Sequence, residues 1–379
     1  MDRTLEIELI EELIGLKQTN SHFLKGSTAR APVSHYADQD HFERERERVL
    51  RRRPHAAAHV SELSQPGDFR RLSLGGLPVL LTRGKDRVAR AFLNVCRHRG
   101  AQLVSENEGC RHRFTCPYHA WTYASSGDLI SAPHLKSGFP EIEKSDIALT
   151  PLPTWEGLGF IWVVPQANGA FDFESFFAPI ASEFEALDLA NHMIAAEDTI
   201  EVAANWKIIV EGGIEAYHFK VAHRDTIGPF FEDNLSSFRC EGDHMRSILP
   251  RISMANLADT PRGGWRVRDH ANVLYGLFPT ATFLVQQDHV AMILADPVAA
   301  DKTILRIGTL VPAETADDAE HWERNHQITR VTLDEDFALG EGIQKGLTSE
   351  ANSELMFGRF EGALTAFNQI VADTMETTA

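Results

Sequence analysis

Cysteine is scarce in this sequence, with four in 379 residues: Cys96, Cys110, Cys116 and Cys240. That excludes a disulfide-stapled scaffold and makes their spacing more informative than their number. Long apolar runs are missing too. Stretches such as Val290–Leu294 fall far short of the roughly 18 residues a membrane span requires. Positive charge is in deficit, with 37 Lys and Arg against 54 Asp and Glu and a net charge of −17. Such an acidic chain is a poor partner for nucleic acid or an anionic membrane. No G-x-G-x-x-G follows a strand pattern, which argues against a nicotinamide site in the chain itself. Internal repeats and low-complexity tracts are absent. The opening segment, MDRTLEIELIEELIGLK, lacks the basic start and small-residue cleavage site of a secretion signal. It reads as an amphipathic helix on a cytoplasmic protein.

What is present is ordinary globular composition, 43% hydrophobic and 24% charged, in a chain long enough for two domains. Residues 1–53 read as a helical segment packing on the later domain and ending in HFERERERVLRRR, a solvated helix face. From 54 to 165 the texture changes to short β-like runs broken by Gly, Pro and Asp. PVLLTRGKDRVARAFLNV is a hairpin pattern around Arg83-Gly84-Lys85-Asp86, and LGFIWVV is another strand. Residues 166–379 alternate again. A helix is expected over 173–189, a strand over 199–204, then a helical stretch, a meander of strands over 275–310 and two C-terminal helices over 321–375. The fold class is α+β, with an all-β domain inserted before a domain of antiparallel sheet plus helices.

Within the β domain stand Cys96-Arg97-His98 and, after 17 intervening residues, Cys116-Pro117-Tyr118-His119. Each pair offers one thiolate and one imidazole from a tight loop, a donor set suited to zinc or an iron–sulfur cluster. Zinc fingers usually present paired C-x-x-C and H-x-x-x-H halves on a ββα unit, whereas here each half is mixed and lies between strands. Two Cys on one iron and two neutral His on the other describe a Rieske [2Fe–2S] centre. The leftover Cys110 and Cys240 are expected to be small packed hydrophobes.

CRHRG followed by CPYHAWTY resembles the α subunit of Rieske non-haem iron oxygenases, the aromatic-ring-hydroxylating dioxygenase family. It does not resemble respiratory Rieske proteins, whose ligand loops each carry a further Cys. The resemblance implies an α/β helix-grip catalytic domain after the Rieske domain, with a mononuclear Fe(II). NWKIIVEGGIEAYHFKVAH supplies His218 and His223. On a helix, residues three apart share a face, so Glu215 would lie beside His218. His218 and His223 are five apart, about 140° around an ideal helix, so both reach one metal only if the helix is distorted or ends between them. The family takes its third ligand, a carboxylate, from a C-terminal helix. Here that stretch is LDEDFALGEGIQ, with Glu341, Gln344, Gly346 and Ser349 in a Glu-x-x-Gln-x-Gly-x-x-Ser pattern. Asp336 is the position carried over, and Asp334 and Glu335 are the neighbours a shifted register would substitute. Asn205, Trp206 and Tyr217 also match the family and are expected to be packing or supporting residues.

The family's residue three before the first iron His bridges it to a Rieske His on a neighbouring subunit. Ring-dihydroxylating members usually have Asp there. This chain has Glu215, as in members acting on quaternary ammonium compounds, and Gly212 where many have Asn. The implied function is the terminal oxygenase of a multicomponent system, hydroxylating an aromatic or methylated substrate with O2. Electrons would come from an NAD(P)H-dependent reductase, with or without a ferredoxin. A homotrimer, or an α3β3 assembly, follows from the bridge. One alternative is N- or O-demethylation of a quaternary ammonium or methylamine-type compound. Phe230, Phe231, Tyr275, Phe278 and Phe283 are available for a cation–π cage, although ordinary core packing also accounts for them. A non-catalytic Rieske carrier is the other alternative, and it has no need of His218, His223 and Asp336.

Overall fold

Residues 77–93 form the hairpin that their alternation predicts. Leu77–Arg83 pairs antiparallel with Ala89–Leu93, Thr82 facing Arg90. Leu80 turns to one apolar cluster, with Phe92, Phe114, Trp121 and Tyr123. Val79 and Leu81 turn to another, with Ala58, Ile161 and Val163, as the two-residue period of a strand requires. This hairpin is central in a five-stranded sheet, and two three-stranded sheets complete the all-β unit. The computed structural model describes residues 1 and 3–377 (backbone alone at 258–259). Asp2 and the last two residues of the expected terminal segments lie outside it. The β unit spans Leu50–Phe173, a wider stretch than 54–165, and the second unit comprises Met1–Val49 with Glu174–Ala379.

The second unit is built on seven antiparallel strands. These are β1 (His192–Val202), β2 (Ser237–Glu241), β3 (His244–Pro250), β4 (Ala271–Leu277), β5 (Ala281–Val285), β6 (Val290–Ala299) and β7 (Lys302–Pro312). Their order is β1-β7-β6-β5-β4-β3-β2. Among its helices are α1 (Arg3–Gln18), α2 (Phe173–Glu185), α3 (Trp206–Gly213), α4 (Phe219–Ala222), α5 (Ala319–Leu347) and α6 (Gly362–Glu376). Phe337 of α5 packs with Val202, Ala295, Leu305 and Ile307 of the sheet. Phe184 of α2 meets Tyr275 and Phe283 edge-on. The architecture is a long helix laid against an antiparallel sheet.

The N-terminal stretch is not wholly helical. Ala29–Pro32 is a strand paired with Glu354–Phe357, which also interrupts the C-terminal helices. Strands β2 and β3 lie where a helical stretch was expected. The charged run is a further correction: Glu45 is fully buried, ion-paired to the buried Lys207 and accepting from Trp206 Nε1 at 3.0 Å. Cys110 and Cys240 are exposed rather than packed.

Glu211 of α3 is buried beside this pair and accepts from Tyr36 Oη and Asn368 Nδ2, both at 2.7 Å. Burial pushes its pKa from 4.5 up to about 7, against those hydrogen bonds and Lys207. A raised carboxyl pKa contributes stability that is present below pH 4.5 and lost as pH rises towards 7. Glu211→Gln keeps an acceptor oxygen and removes the charge. The variant is expected to melt higher than wild type at pH 8, by at most about 3 kcal/mol in stability, with the gap closing at pH 5. Thermal unfolding at both pH values checks this, and equal melting at pH 8 would refute it.

Candidate active site

The two Cys/His loops of the β unit have matching backbones. Cys96 N–H donates to Ala101 O at 2.8 Å and Gly100 N–H returns to Cys96 O at 3.0 Å. Likewise Cys116 N–H donates to Trp121 O at 2.7 Å and Ala120 N–H returns to Cys116 O at 3.0 Å. The fifth residue of each loop has positive φ, Gly100 at 76° and Ala120 at 57°. Such a conformation suits glycine and is strained for alanine. Cys96 and Cys116 are buried, and the His98 and His119 rings stand 4.7 Å apart. Trp121 stacks on His98, and Arg97 N–H donates to Tyr123 Oη at 3.1 Å, fixing the first loop. His119 Nδ1 is buried without a hydrogen-bond partner. An orphaned buried nitrogen is costly unless something ligates it. Two thiols, two imidazoles and this orphan fit a Rieske cluster.

The second cluster of donors depends on how α3 begins and ends. Asn205 caps it, its side chain accepting from Lys207 N–H at 3.0 Å, while its own N–H donates to Gln344 Oε1 at 2.9 Å. Glu341 accepts from Ala203 N–H at 3.1 Å. The Glu-x-x-Gln pattern therefore moors the start of α3 to α5. Gly212 and Gly213, weak helix formers, close α3. Residues 214–218 are non-helical, so Glu215 and His218 do not share a helix face as expected. Helix α4 is a single turn with His218 at its N-cap and His223 at its C-cap. Breaking the helix on both sides lets imidazoles five residues apart reach one point.

His218 Nε2 and His223 Nε2 lie 3.2 Å apart, and Asp336 Oδ1 is 3.3 Å and 2.9 Å from them. Behind them, Glu215 hydrogen-bonds His218 Nδ1 and Glu335 Oε2 lies 2.7 Å from His223 Nδ1. Thr226 Oγ1 donates to the same Glu335 oxygen at 2.6 Å. Asp334 pairs instead with Arg330 at 2.8 Å on the exposed side of α5. Successive helix residues diverge by about 100°, so three adjacent acids point three ways. Asp336 converges on both imidazoles, Glu335 supports one of them, and Asp334 faces solvent. Glu335 and Thr226 as supports were not legible beforehand, since nothing in the sequence separates a supporting acid from a ligating one.

Electrostatics agree with a cation site. Burial opposes protonation of His218, but Asp336 and Glu215 override it and push its pKa up to about 10. His223 is raised the same way by Asp336 and Glu335. Burial alone would raise Asp336, yet its bonds to the two imidazoles bring it below the ordinary carboxylate value. Two imidazoles and one carboxylate, with the outer ring nitrogens held by acids, fit an iron(II) centre with open positions. Beside Asp336 lies an apolar cleft bordered by Ile208, Gly212, Gly213, Thr282, Leu333 and Phe337. Asn205 and Trp206 are buried supports, whereas Tyr217 is 54% exposed.

Paired Cys/His loops on an all-β unit, together with a His/His/Asp triad on a helix and sheet unit, define an iron-dependent oxygenase. Comparisons with known proteins agree. Residues 53–156 match the Rieske [2Fe-2S] domain family and residues 189–377 the ring hydroxylating alpha subunit (catalytic domain) family. The chain is 30% identical over 334 residues to the carnitine monooxygenase oxygenase subunit of Acinetobacter baumannii, covering 84% of this chain and 85% of that protein. It is 24% identical over 390 residues to the glycine betaine monooxygenase oxygenase subunit of Pseudomonas aeruginosa, covering 93% and 90%. A quaternary ammonium Rieske monooxygenase crystallised with L-carnitine superposes with TM-score 0.76 at 25% identity, over 92% of this chain and 96% of that one. The chain belongs to the Rieske non-haem iron oxygenases, as an oxygenase α subunit that binds a [2Fe–2S] cluster and a mononuclear iron. Among the described residues no helix is long and apolar enough to cross a membrane.

Proposed function

We propose that this terminal oxygenase hydroxylates an N-methyl carbon of a quaternary ammonium or methylamine-type compound. The convergence of His218 Nε2, His223 Nε2 and Asp336 Oδ1, with Glu215 on the outer nitrogen of His218, carries the reading. Hydroxylation takes up O2, two electrons and two protons; one oxygen enters the C–H bond and the other leaves as water. The N-hydroxymethyl product then breaks its C–N bond, giving formaldehyde and the demethylated amine, with a proton released where the substrate was a quaternary ammonium. Catabolism of aromatic hydrocarbons, an expectation from the wider family, is not supported. Relatives aligned over most of this chain are carnitine and glycine betaine monooxygenase subunits, and Glu215 departs from the ring-dihydroxylating pattern.

In this reading Cys96, His98, Cys116 and His119 hold the cluster, and His218, His223 and Asp336 hold the iron. When bound, these groups supply single electrons and open coordination positions for O2. Glu215 and Glu335 keep the protons of their imidazoles on Nδ1, leaving both Nε2 lone pairs directed inward. The apolar cleft beside Asp336 excludes water from the reacting carbon. Glu215 also carries the electron path from His98 or His119 of a neighbouring subunit to His218, in a homotrimer served by a separate reductase. Charge distribution supports head-to-tail assembly. Residues 50–173 hold 15 Lys and Arg against 11 Asp and Glu, a net +4, while the remainder holds 22 against 43, a net −21. A basic cluster-bearing unit is attracted to an acidic catalytic unit of another copy.

Metal and sulfide analysis tests the reading. Three irons and two acid-labile sulfides per chain are expected, from one mononuclear iron plus a two-iron cluster. Two irons with two sulfides would leave a carrier, and zinc at the thiolate loops would end the oxygenase reading.

A further inference from the structure

Next to the apolar cleft lies a cavity of about 320 Å³, bordered by Phe230, Phe231, Arg251, Asn272 and Thr332. Ile293 and Leu333 border both spaces, so the cavity neighbours the cleft at Asp336. Thr332 lies four residues before Asp336 on α5, about 6 Å along the helix axis. At the far side Arg251 extends β3 by one residue, bridging the backbone of Phe231 and donating its N–H to His270 O at 2.8 Å. Its Nη2 donates to Asn272 Oδ1 at 2.6 Å. Among the described residues no carboxylate forms an ion pair with it, although burial disfavours its charge and only the more distant Asp288 and Asp269 offset this. A half-buried guanidinium on a fixed backbone, bordering a cavity and lacking an ion pair among the described residues, is an unfilled half of a charge pair.

We propose that Arg251 is a specificity-determining residue that binds the carboxylate of the substrate. The enzyme therefore takes betaines, methylated ammonium compounds bearing a carboxylate, and discriminates against simple cations such as choline. The charges are placed for a dipolar ligand: Glu335 and Asp336 follow Thr332 and Leu333 on α5, Phe230 and Phe231 border the cavity as aromatic residues suited to an ammonium group, and Arg251 supplies the opposite charge for a carboxylate. A quaternary ammonium compound with no acid group would meet Arg251 as repulsion and leave it unpaired. The inference rests on the oxygenase reading and narrows its substrate.

The test is calorimetric binding to the iron-loaded protein of two matched probes, γ-butyrobetaine and its methyl ester. Wild type is expected to bind the carboxylate about ten- to a hundredfold more tightly than the ester, the usual scale of a charge-assisted contact. Arg251→Met should abolish that preference by weakening the carboxylate probe alone. Arg251→Lys, which keeps the charge without the planar fork, should retain part of it and guards against a folding defect. Equal affinities in wild type, a preference that survives Arg251→Met, or no binding of either probe would overturn the proposal. Iron and sulfide content of the same preparations separates the two levels. Failure of the oxygenase reading shows as missing metal; failure of the carboxylate inference shows in iron-replete protein.

Discussion

In a His218→Ala variant, turnover falls to background while the visible absorption of the Rieske cluster is unchanged. The two outcomes separate because the residues concerned belong to different compact units. Cys96, His98, Cys116 and His119 lie in Leu50–Phe173, and His218, His223 and Asp336 in the other unit. Removing the His218 ring takes away one of three donor atoms that lie within 4.8 Å of one another. It also removes one of the two donors to Glu215, leaving the Tyr217 backbone N–H. A site reduced to one imidazole and one carboxylate no longer makes the facial set that Fe(II) oxygenases use. Iron per chain should fall from three to two with sulfide constant, so the same sample yields an activity, a spectrum and a metal count. Full activity in this variant would mean that the iron sits elsewhere. A bleached spectrum would mean that the two units do not fold independently.

Much of the candidate site was readable from the sequence because its chemistry is local. CRHRG and CPYHAWTY carry the proposed ligands on short loops, and each loop is closed by hydrogen bonds within six residues. If His218 and His223 share one metal, their spacing requires a helix that is distorted or ends between them, and α4 is a single turn that stops at Ala222. The proposed third ligand was different. Asp334, Glu335 and Asp336 are chemically alike, and only the rotation of α5 distinguishes them. Long-range pairing was harder still. The strand Ala29–Pro32 finds its partner more than 300 residues away at Glu354–Phe357, and no local pattern encodes that. Glu45 looked like one more acid in a solvated run. It is buried because Lys207, far along the chain, supplies its counter-charge, and a charge can be buried only with such compensation. Arg251 likewise carries no motif, being defined by the cavity it borders.

Glu215→Gln is expected to leave both metals bound and yet slow product formation by about ten- to a hundredfold, the usual scale for residues that orient a metal ligand. The carboxylate accepts from two donors, His218 Nδ1–H and the Tyr217 backbone N–H. An amide keeps one acceptor oxygen and adds two donor hydrogens. It can satisfy the imidazole or the backbone N–H, while its NH2 group is set against the other donor. In the proposed trimer it also loses the lone pairs that would receive a neighbouring subunit's cluster histidine. Size, shape and the three iron donors are unchanged, so the variant isolates the bridge from the ligands. Single-turnover kinetics of pre-reduced enzyme with excess O2 and substrate should show the loss in oxidation of the cluster, with iron and sulfide at wild-type levels. Glu215→Asp preserves the charge with a shorter reach and should recover part of the rate. If Glu215→Gln turns over once as fast as wild type, electrons reach the iron by a path that does not pass through residue 215.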